Sequence, residues 1–362
     1  MKFKALLLTM LLFAYACAQI PAGYYDDAQG LQGYELKTAL KEIINNQTVL
    51  SYNSLDDYYS QTDKDLYYEN DNSLLDIYSE KPNGQDAYNY GFGQGDQCGN
   101  YNSEADCWNK EHMFPQGFFN EQLPMRTDLH QVLPTDGYVN NRRSNYPFGK
   151  VGNASWTSTN GSKVGSSATP GFSGIVFEPI DEFKGDVARI LFYFATRYED
   201  QVISSSWDDP DADPSNPLNG TTDQVYEDWQ IAVFLQWNEQ DPVSQKEIDR
   251  NNAVYNIQGN RNPFVDHPEW VNAIWNPDAM SVSESGSKSI QIYPNPAQNI
   301  LNLKSDSKIE KIELFNVNGK KIQSVEPNAN DAKINMSHLP SGVYILKTNV
   351  NGKISSQKIV KK

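Results

Sequence analysis

Apolar residues along this chain follow two regimes. Up to about residue 275 they recur at helical spacing in a few long runs, separated by stretches rich in turn formers; beyond about residue 288 they come in short β-like runs. Leu36 to Ile44 (LKTALKEII) predicts a helix near the start of the mature chain. Residues 186–201 (DVARILFYFATRYEDQ) predict a second, with Asp186 as a candidate N-cap and the apolar residues on one broad face. A third is expected from Pro242 to about Tyr255, where Ser244 and the acidic residues favour its start. Tyr and Asp dominate the text before about Asn102, with many turn residues.

Past residue 278 the pattern changes. Ser281 to Ser287 (SVSESGS) reads as a linker. Short β runs follow at 290–293, 300–303, 309–317, 320–325, 342–350 and 353–360, and Asn-Gly pairs at Asn318-Gly319 and Asn351-Gly352 are hairpin signals. The expectation is a small all-β sandwich behind an α+β domain. The charge divides in the same place: residues 288–362 carry a balance of +7 and everything before them −23, giving the net −16. On bulk electrostatics an acidic chain argues against nucleic acid as a partner, so any such reading has to rest on local charge.

The N-terminus sets the compartment. Lys2 and Lys4 precede an apolar run, Ala5 to Ala16, and Ala16-Cys17-Ala18 supplies small residues for cleavage. The run is too short to span a bilayer, no other segment is apolar enough to do so, and residues 1–18 read as a removable signal peptide. Only Cys98 and Cys107 then remain. Outside the cell, two cysteines nine positions apart are expected to close a short loop as a disulfide.

Candidate chemistry is concentrated between Trp108 and Gly149, which holds two of the chain's four His residues. One strand-like piece carries Glu111-His112 and a second carries Asp128 to Val132; Pro134, Thr135 and Asp136 offer start signals for a helix bearing Asn140 and Arg143. Phosphodiester cleavage uses such parts. A neutral imidazole takes a proton from water near neutral pH. Carboxylate and amide oxygens suit a hard divalent cation, and Mg²⁺ needs only one or two protein ligands. A positive group stabilises the charge that develops on phosphate. No His-Glu-x-x-His spacing occurs, which disfavours a zinc peptidase.

These residues resemble bacterial endonuclease I, a family of His-Me finger (ββα-metal) nucleases. The resemblance lies in Glu111-His112-Met113-Phe114-Pro115, in Asp128-Leu129-His130 with Pro134, and in Val139-Asn140-Asn141-Arg142-Arg143-Ser144-Asn145. Further similar runs stand at Asp181 to Arg189 and Gln258 to Phe264, so that most of residues 20–275 is covered. It implies His112 as general base, Glu111 and Asn140 as ligands of one Mg²⁺ (Mn²⁺ or Ca²⁺ as possible substitutes), and 5′-phosphate ends on DNA and RNA. Some members carry a transition-state arginine in a longer insertion between the two strands. Here that loop is short and Arg126 is its only arginine, leaving Arg143, Arg126 and Arg142 as candidates in that order.

His130 reads either as support for the site or as a satisfied strand residue. His267 reads as part of a capped helix start, and Arg189 and Lys184 as fold-holding ion-pair residues. Lys110, Arg126, Arg142, Arg143 and Lys150 form the expected local basic group for phosphate contacts.

Residues 288–362 resemble the type A sorting domain of the type IX secretion system, through Ile292-Tyr293-Pro294-Asn295-Pro296, Leu339-Pro340-Ser341-Gly342-Val343-Tyr344 and the Lys-rich Lys358 to Lys362. This implies the type IX machinery as a partner, and release or surface attachment after passage through the periplasm. The expected organisation is a signal peptide (1–18), a nuclease domain (19–277), a linker (278–287) and a sorting domain (288–362), in a monomer. The competing reading is a non-catalytic surface-binding protein that keeps a nuclease-like fold, with a small carbohydrate-binding sandwich as the alternative for the tail.

Overall fold

The computed structural model describes residues 20–93, 95–201, 216–277, 290–316, 320–350 and 353–362. The signal-peptide reading at 1–18, the linker at 278–287 and both Asn-Gly pairs lie outside the described residues. The chain divides into two compact units, the first ending at Trp275 and the second beginning at Asn276.

The first unit mixes helix and sheet. Helix α1 (Gly33–Ile44) buries Leu36, Leu40 and Ile44, one residue per turn on a single face. It starts a turn earlier than the apolar spacing predicts. After the short α2 (Tyr59–Thr62), strand β1 (Trp108–His112) pairs antiparallel with β2 (Val132–Asp136), placing Glu111 opposite Leu133 and His112 opposite Val132. The second strand was expected at Asp128 to Val132, and the structure moves it towards the C-terminus. The Asp128 carboxylate accepts the His130 N–H (3.0 Å) and the phenols of Tyr193 and Tyr198, which locks residues 128–131 as a turn. Pro134, read as a helix start, sits inside β2, where a two-stranded sheet leaves one strand edge unpaired. Only Asp136 keeps the starting role: its side chain accepts the Val139 N–H at 2.8 Å and caps α3 (Gly137–Arg143).

A three-stranded antiparallel meander follows, β3 (Val151–Thr157), β4 (Lys163–Ser167) and β5 (Ile175–Glu178), which the hydrophobic pattern did not predict. Helix α4 (Lys184–Arg197) is buried along its whole length and forms the centre of the unit. Asp186 lies within it rather than capping it, because its carboxylate pairs with Lys246 and Arg189. Around α4 lie α5 (Asp228–Gln240), α6 (Gln245–Gln258), α7 (Pro263–Asp266) and α8 (Glu269–Trp275). Ser244 and Glu247 close a reciprocal capping box on α6, which ends at Gly259 with φ +87°. Arg189 pairs with Glu247 at 2.6 Å and Lys184 with Glu178 at 2.6 Å, the ion pairs read from the sequence.

The second unit is all-β, with strands β6 (Ile290–Tyr293), β7 (Ile300–Asn316), β8 (Lys321–Val325), β9 (Ala329–Asn335), β10 (Gly342–Val350) and β11 (Lys353–Lys361). The two runs expected at 300–303 and 309–317 are one long strand, and β9 was not foreseen. All six form one hydrogen-bonded sheet in which the first half of β7 pairs with β6 and β9, and the second half with β8 and β10. The register shifts between Lys304 and Ile309, and residues from both halves share one buried cluster that includes Leu301, Leu303, Ile312, Leu314 and Leu346.

Candidate active site

The end of β1, the start of the 3-10 turn Gln116–Phe119 after Pro115, and α3 enclose a polar cleft of about 600 Å³. Glu111, His112, Asn140 and Arg143 all line it, as do Tyr52, Asn109, Lys110 and the loop around Cys98. Four sequence-predicted residues are therefore brought together by the β1–β2 pair and the helix that follows it.

Glu111 is almost fully buried. Its Oε1 accepts the Tyr78 phenol at 2.8 Å and lies 3.5 Å from Arg143 Nη1. Burial raises its carboxyl above the usual range, and Arg143 and Tyr78 work against that rise. His112 is 4 % exposed and held on three sides: its Nε2 lies 3.0 Å from the Arg126 carbonyl, its ring is parallel to that of Tyr52, and Phe119 abuts it edge-on. Because a carbonyl only accepts, Nε2 carries the proton and Nδ1 is left as the acceptor of a neutral ring. Burial pushes this histidine down to about 4, helped by the charges of Arg126, Arg143 and Lys110 and opposed by the Arg126 carbonyl, so the ring is neutral at ordinary pH.

Asn140 spends its amide N–H groups on Asn109 Oδ1 (2.8 Å) and the Lys110 carbonyl (3.3 Å), which leaves its amide oxygen as the acceptor. A carboxylate on β1 and an amide oxygen on α3, facing one polar cleft, are hard donors of the kind a divalent cation takes. The donor set fits such an ion.

The arginines separate by burial. Arg143 is 2 % exposed, and its guanidinium is taken by the His112 carbonyl (3.2 Å), the Met113 carbonyl (2.7 Å) and Glu111. Arg126 lies over the Tyr52 ring at 4.4 Å and pairs with exposed Glu121 at 2.6 Å. Arg142 rests over Trp156. Lys110 is bound to Asp56, so the expected basic group is already partly neutralised by the protein itself. His130 does not line the cleft; it packs on Tyr193 with Nε2 3.1 Å from the Asn260 carbonyl. His267 stacks on Trp270, at the start of α8.

Sequence reasoning missed the residues that hold the site. Tyr78 and Asp76 lie in a stretch that reads as turns, yet Tyr78 supports Glu111 and Asp76 accepts the Asp136 N–H at 2.8 Å. Tyr52, which covers His112, carries no local signal. Cys98 and Cys107 form the expected disulfide, and the Cys107 carbonyl accepts the Gly137 N–H at 2.9 Å, tying that loop to the start of α3.

Comparison with known proteins gives the family. Residues 32–269 match the Endonuclease I family, and residues 291–362 match the secretion system C-terminal sorting domain. The chain is 36 % identical over 257 residues to an extracellular ribonuclease of Bacillus amyloliquefaciens, covering 70 % of this chain and 78 % of that one. The figures for an extracellular ribonuclease of Bacillus subtilis are 35 %, 70 % and 78 %. An extracellular deoxyribonuclease of Aeromonas hydrophila is 23 % identical, over 46 % of this chain and 61 % of its own. No helix among the described residues is long and apolar enough to cross a membrane. From these matches the chain belongs to the Endonuclease I family, as a secreted or cell-surface nuclease that carries a type IX secretion sorting domain.

Proposed function

We propose that the protein is a non-specific endonuclease acting on both RNA and DNA, with His112 as general base and Glu111 and Asn140 as the protein ligands of one Mg²⁺, leaving 5′-phosphate ends. The observation that carries this reading is the state of His112: a neutral ring, proton on Nε2, with Nδ1 as its acceptor in a polar cleft. A base in that state needs no prior deprotonation to take a proton from water. In this reading β1, β2 and α3 are the ββα-metal core.

The bound cation would supply charge neutralisation at the phosphate and the leaving oxygen. The chain's residues do the rest. Tyr78 and Arg143 fix the Glu111 carboxylate, while Asn109 and the Lys110 carbonyl hold the Asn140 amide nitrogen and leave its oxygen as the acceptor. Arg143 acts as a positioning residue for the end of β1. Arg126, whose partner Glu121 is exposed, is the arginine able to exchange a carboxylate for a phosphate. The substrate pair follows from relatives named as ribonucleases and deoxyribonucleases. The organisation is a signal peptide at 1–18, a nuclease domain at 19–277, a linker at 278–287 and a sandwich-type sorting domain at 288–362, in a monomer.

The test is the chemistry of the ends. Oligonucleotides of DNA and RNA cut by the protein with Mg²⁺ are expected to ligate without prior kinase treatment. Products that carry 3′-phosphate or 2′,3′-cyclic phosphate would refute the assigned mechanism.

A further inference from the structure

Outside the cleft, Asp65, Glu69 and Glu80 each offer a carboxylate oxygen, and these three oxygens all lie within 4.8 Å of one another. Asp65 and Glu80 are buried, with 1 % and 2 % exposure, and Glu69 is half-buried. Among the described residues no Lys or Arg forms an ion pair with any of the three. A second observation singles out Glu80: its Oε1 is sealed from solvent and has no hydrogen-bond partner. A buried carboxylate oxygen without a donor is costly, and burial together with Asp86, Glu69 and Asp65 raises the Glu80 carboxyl, so the site is relieved either by a proton or by an opposite charge. Asp65 is held in place by the backbone, Oδ1 accepting from Tyr67 and Tyr68 and Oδ2 from Asn70, which leaves Oδ2 with a further lone pair.

We propose that Asp65, Glu69 and Glu80 form a second cation site, separate from the cleft, which takes one Ca²⁺ ion and pins the segment that carries Tyr78 behind Glu111. Three oxygens within 4.8 Å of one another fit the coordination sphere of an ion with bonds of about 2.4 Å, the calcium range. Mg²⁺ demands a tighter octahedron and retains its waters. The site has no His or Cys, so it lacks the nitrogen and sulfur donors of zinc sites. A secreted protein also meets calcium at concentrations that weak extracellular sites exploit.

The consequence for the cleft runs through the chain. The Glu80 N–H bonds the Asp76 carbonyl at 2.9 Å, Asp76 holds the Asp136 N–H, and Tyr78 holds Glu111. An ion bridging Asp65 to Glu80 therefore closes the irregular segment from which both supporting side chains project.

The proposal is independent of the catalytic-metal assignment and is tested with that assignment removed. Thermal unfolding of the full chain carrying Glu111→Gln, which keeps an acceptor for Tyr78 and Arg143, and Asn140→Ala is followed in chelator and in about 5 mM CaCl₂. The midpoint is expected to rise by at least about 4 °C with calcium, and adding Glu80→Gln should abolish the rise. Glu69→Gln, at a half-buried position, makes the same comparison should Glu80→Gln not fold. Tyrosine-sensitised terbium luminescence should count one ion in the double variant and none once Glu80 or Glu69 is changed. No calcium-dependent rise in the double variant, or a rise undiminished by both Gln substitutions, would overturn the site.

Discussion

The ring of His112 hangs from the backbone of Arg126, with Nε2 3.0 Å from that residue's carbonyl, while the Arg126 side chain returns over the Tyr52 ring that lies parallel to the imidazole. One residue thus fixes the tautomer of the histidine and, through Tyr52, one wall beside its ring. The carbonyl selects Nδ1 as the acceptor, and burial keeps the ring neutral.

Tyr78→Phe removes the phenol that Glu111 accepts while leaving the ring and its packing in place. Loss of such an outer hydrogen bond typically weakens metal binding by about 10-fold or more. The Mg²⁺ concentration for half-maximal cleavage should rise by about that factor, with the unfolding midpoint little changed. An unaltered Mg²⁺ requirement would mean that Tyr78 serves packing alone.

Arg143 and Arg126 should fail in different ways. Arg143→Ala strips a buried guanidinium from two carbonyls and Glu111, and breaking a buried pair costs about 3–5 kcal/mol, so denaturant stability should fall sharply. The Arg126–Glu121 pair is largely exposed and contributes about 0–1 kcal/mol, so Arg126→Ala should leave stability nearly intact. Its kcat should fall by about 100-fold. The reverse pattern would return the transition-state role to Arg143.

How much of this was legible in the sequence depended on whether the signal was local. The apolar spacing of Leu36, Leu40 and Ile44, the Ser244–Glu247 box and the adjacent Glu111-His112 each state their role within a few residues. Asp128 does not. It reads as part of a strand, and its turn exists because Tyr193, Tyr198 and Gln258, all remote in sequence, converge on its carboxylate. Tyr78 and Tyr52 are silent for the same reason, since their partners lie 33 and 60 residues away. The meander β3–β5 is small, polar and largely exposed on β3, so it carries little hydrophobic alternation to detect. Arg143 looked like a free cation by position; only the fold reveals that backbone carbonyls already occupy it.

Acid should weaken the fold through His130. Burial pushes this histidine down to about 4, against the attraction of Asp128 and the Asn260 carbonyl, whereas in the unfolded chain it titrates near 6.5, the ordinary value for histidine. The unfolded state therefore binds the extra proton between those values. The stability contribution is complete above the unfolded pKa and shrinks as pH falls, by about 2 kcal/mol at pH 5. Urea unfolding of wild type and His130→Asn at pH 7.5 and pH 5 should show the wild type losing about that much more than the variant. Parallel losses would contradict the buried neutral state.

The Cys98–Cys107 bridge should matter for the cleft as well as for stability, because the Cys107 carbonyl anchors the first turn of α3. Closing so short a loop contributes about 2–3 kcal/mol in the chain-entropy account. Reductant should lower the urea midpoint of the wild type and slow its cleavage, and a Cys98→Ser, Cys107→Ser variant should be indifferent to reductant. A wild type equally indifferent would show that the bridge holds nothing at the site.

The central claim is that His112 is the base of a metal-dependent nuclease, and plasmid cleavage by wild type and His112→Ala tests it most directly. With Mg²⁺ the wild type should nick and linearise the plasmid and lose that activity in excess chelator, while a folded His112→Ala should be slower by about 100-fold or more. Cleavage by His112→Ala at the wild-type rate, or wild-type cleavage indifferent to chelator, would contradict the account.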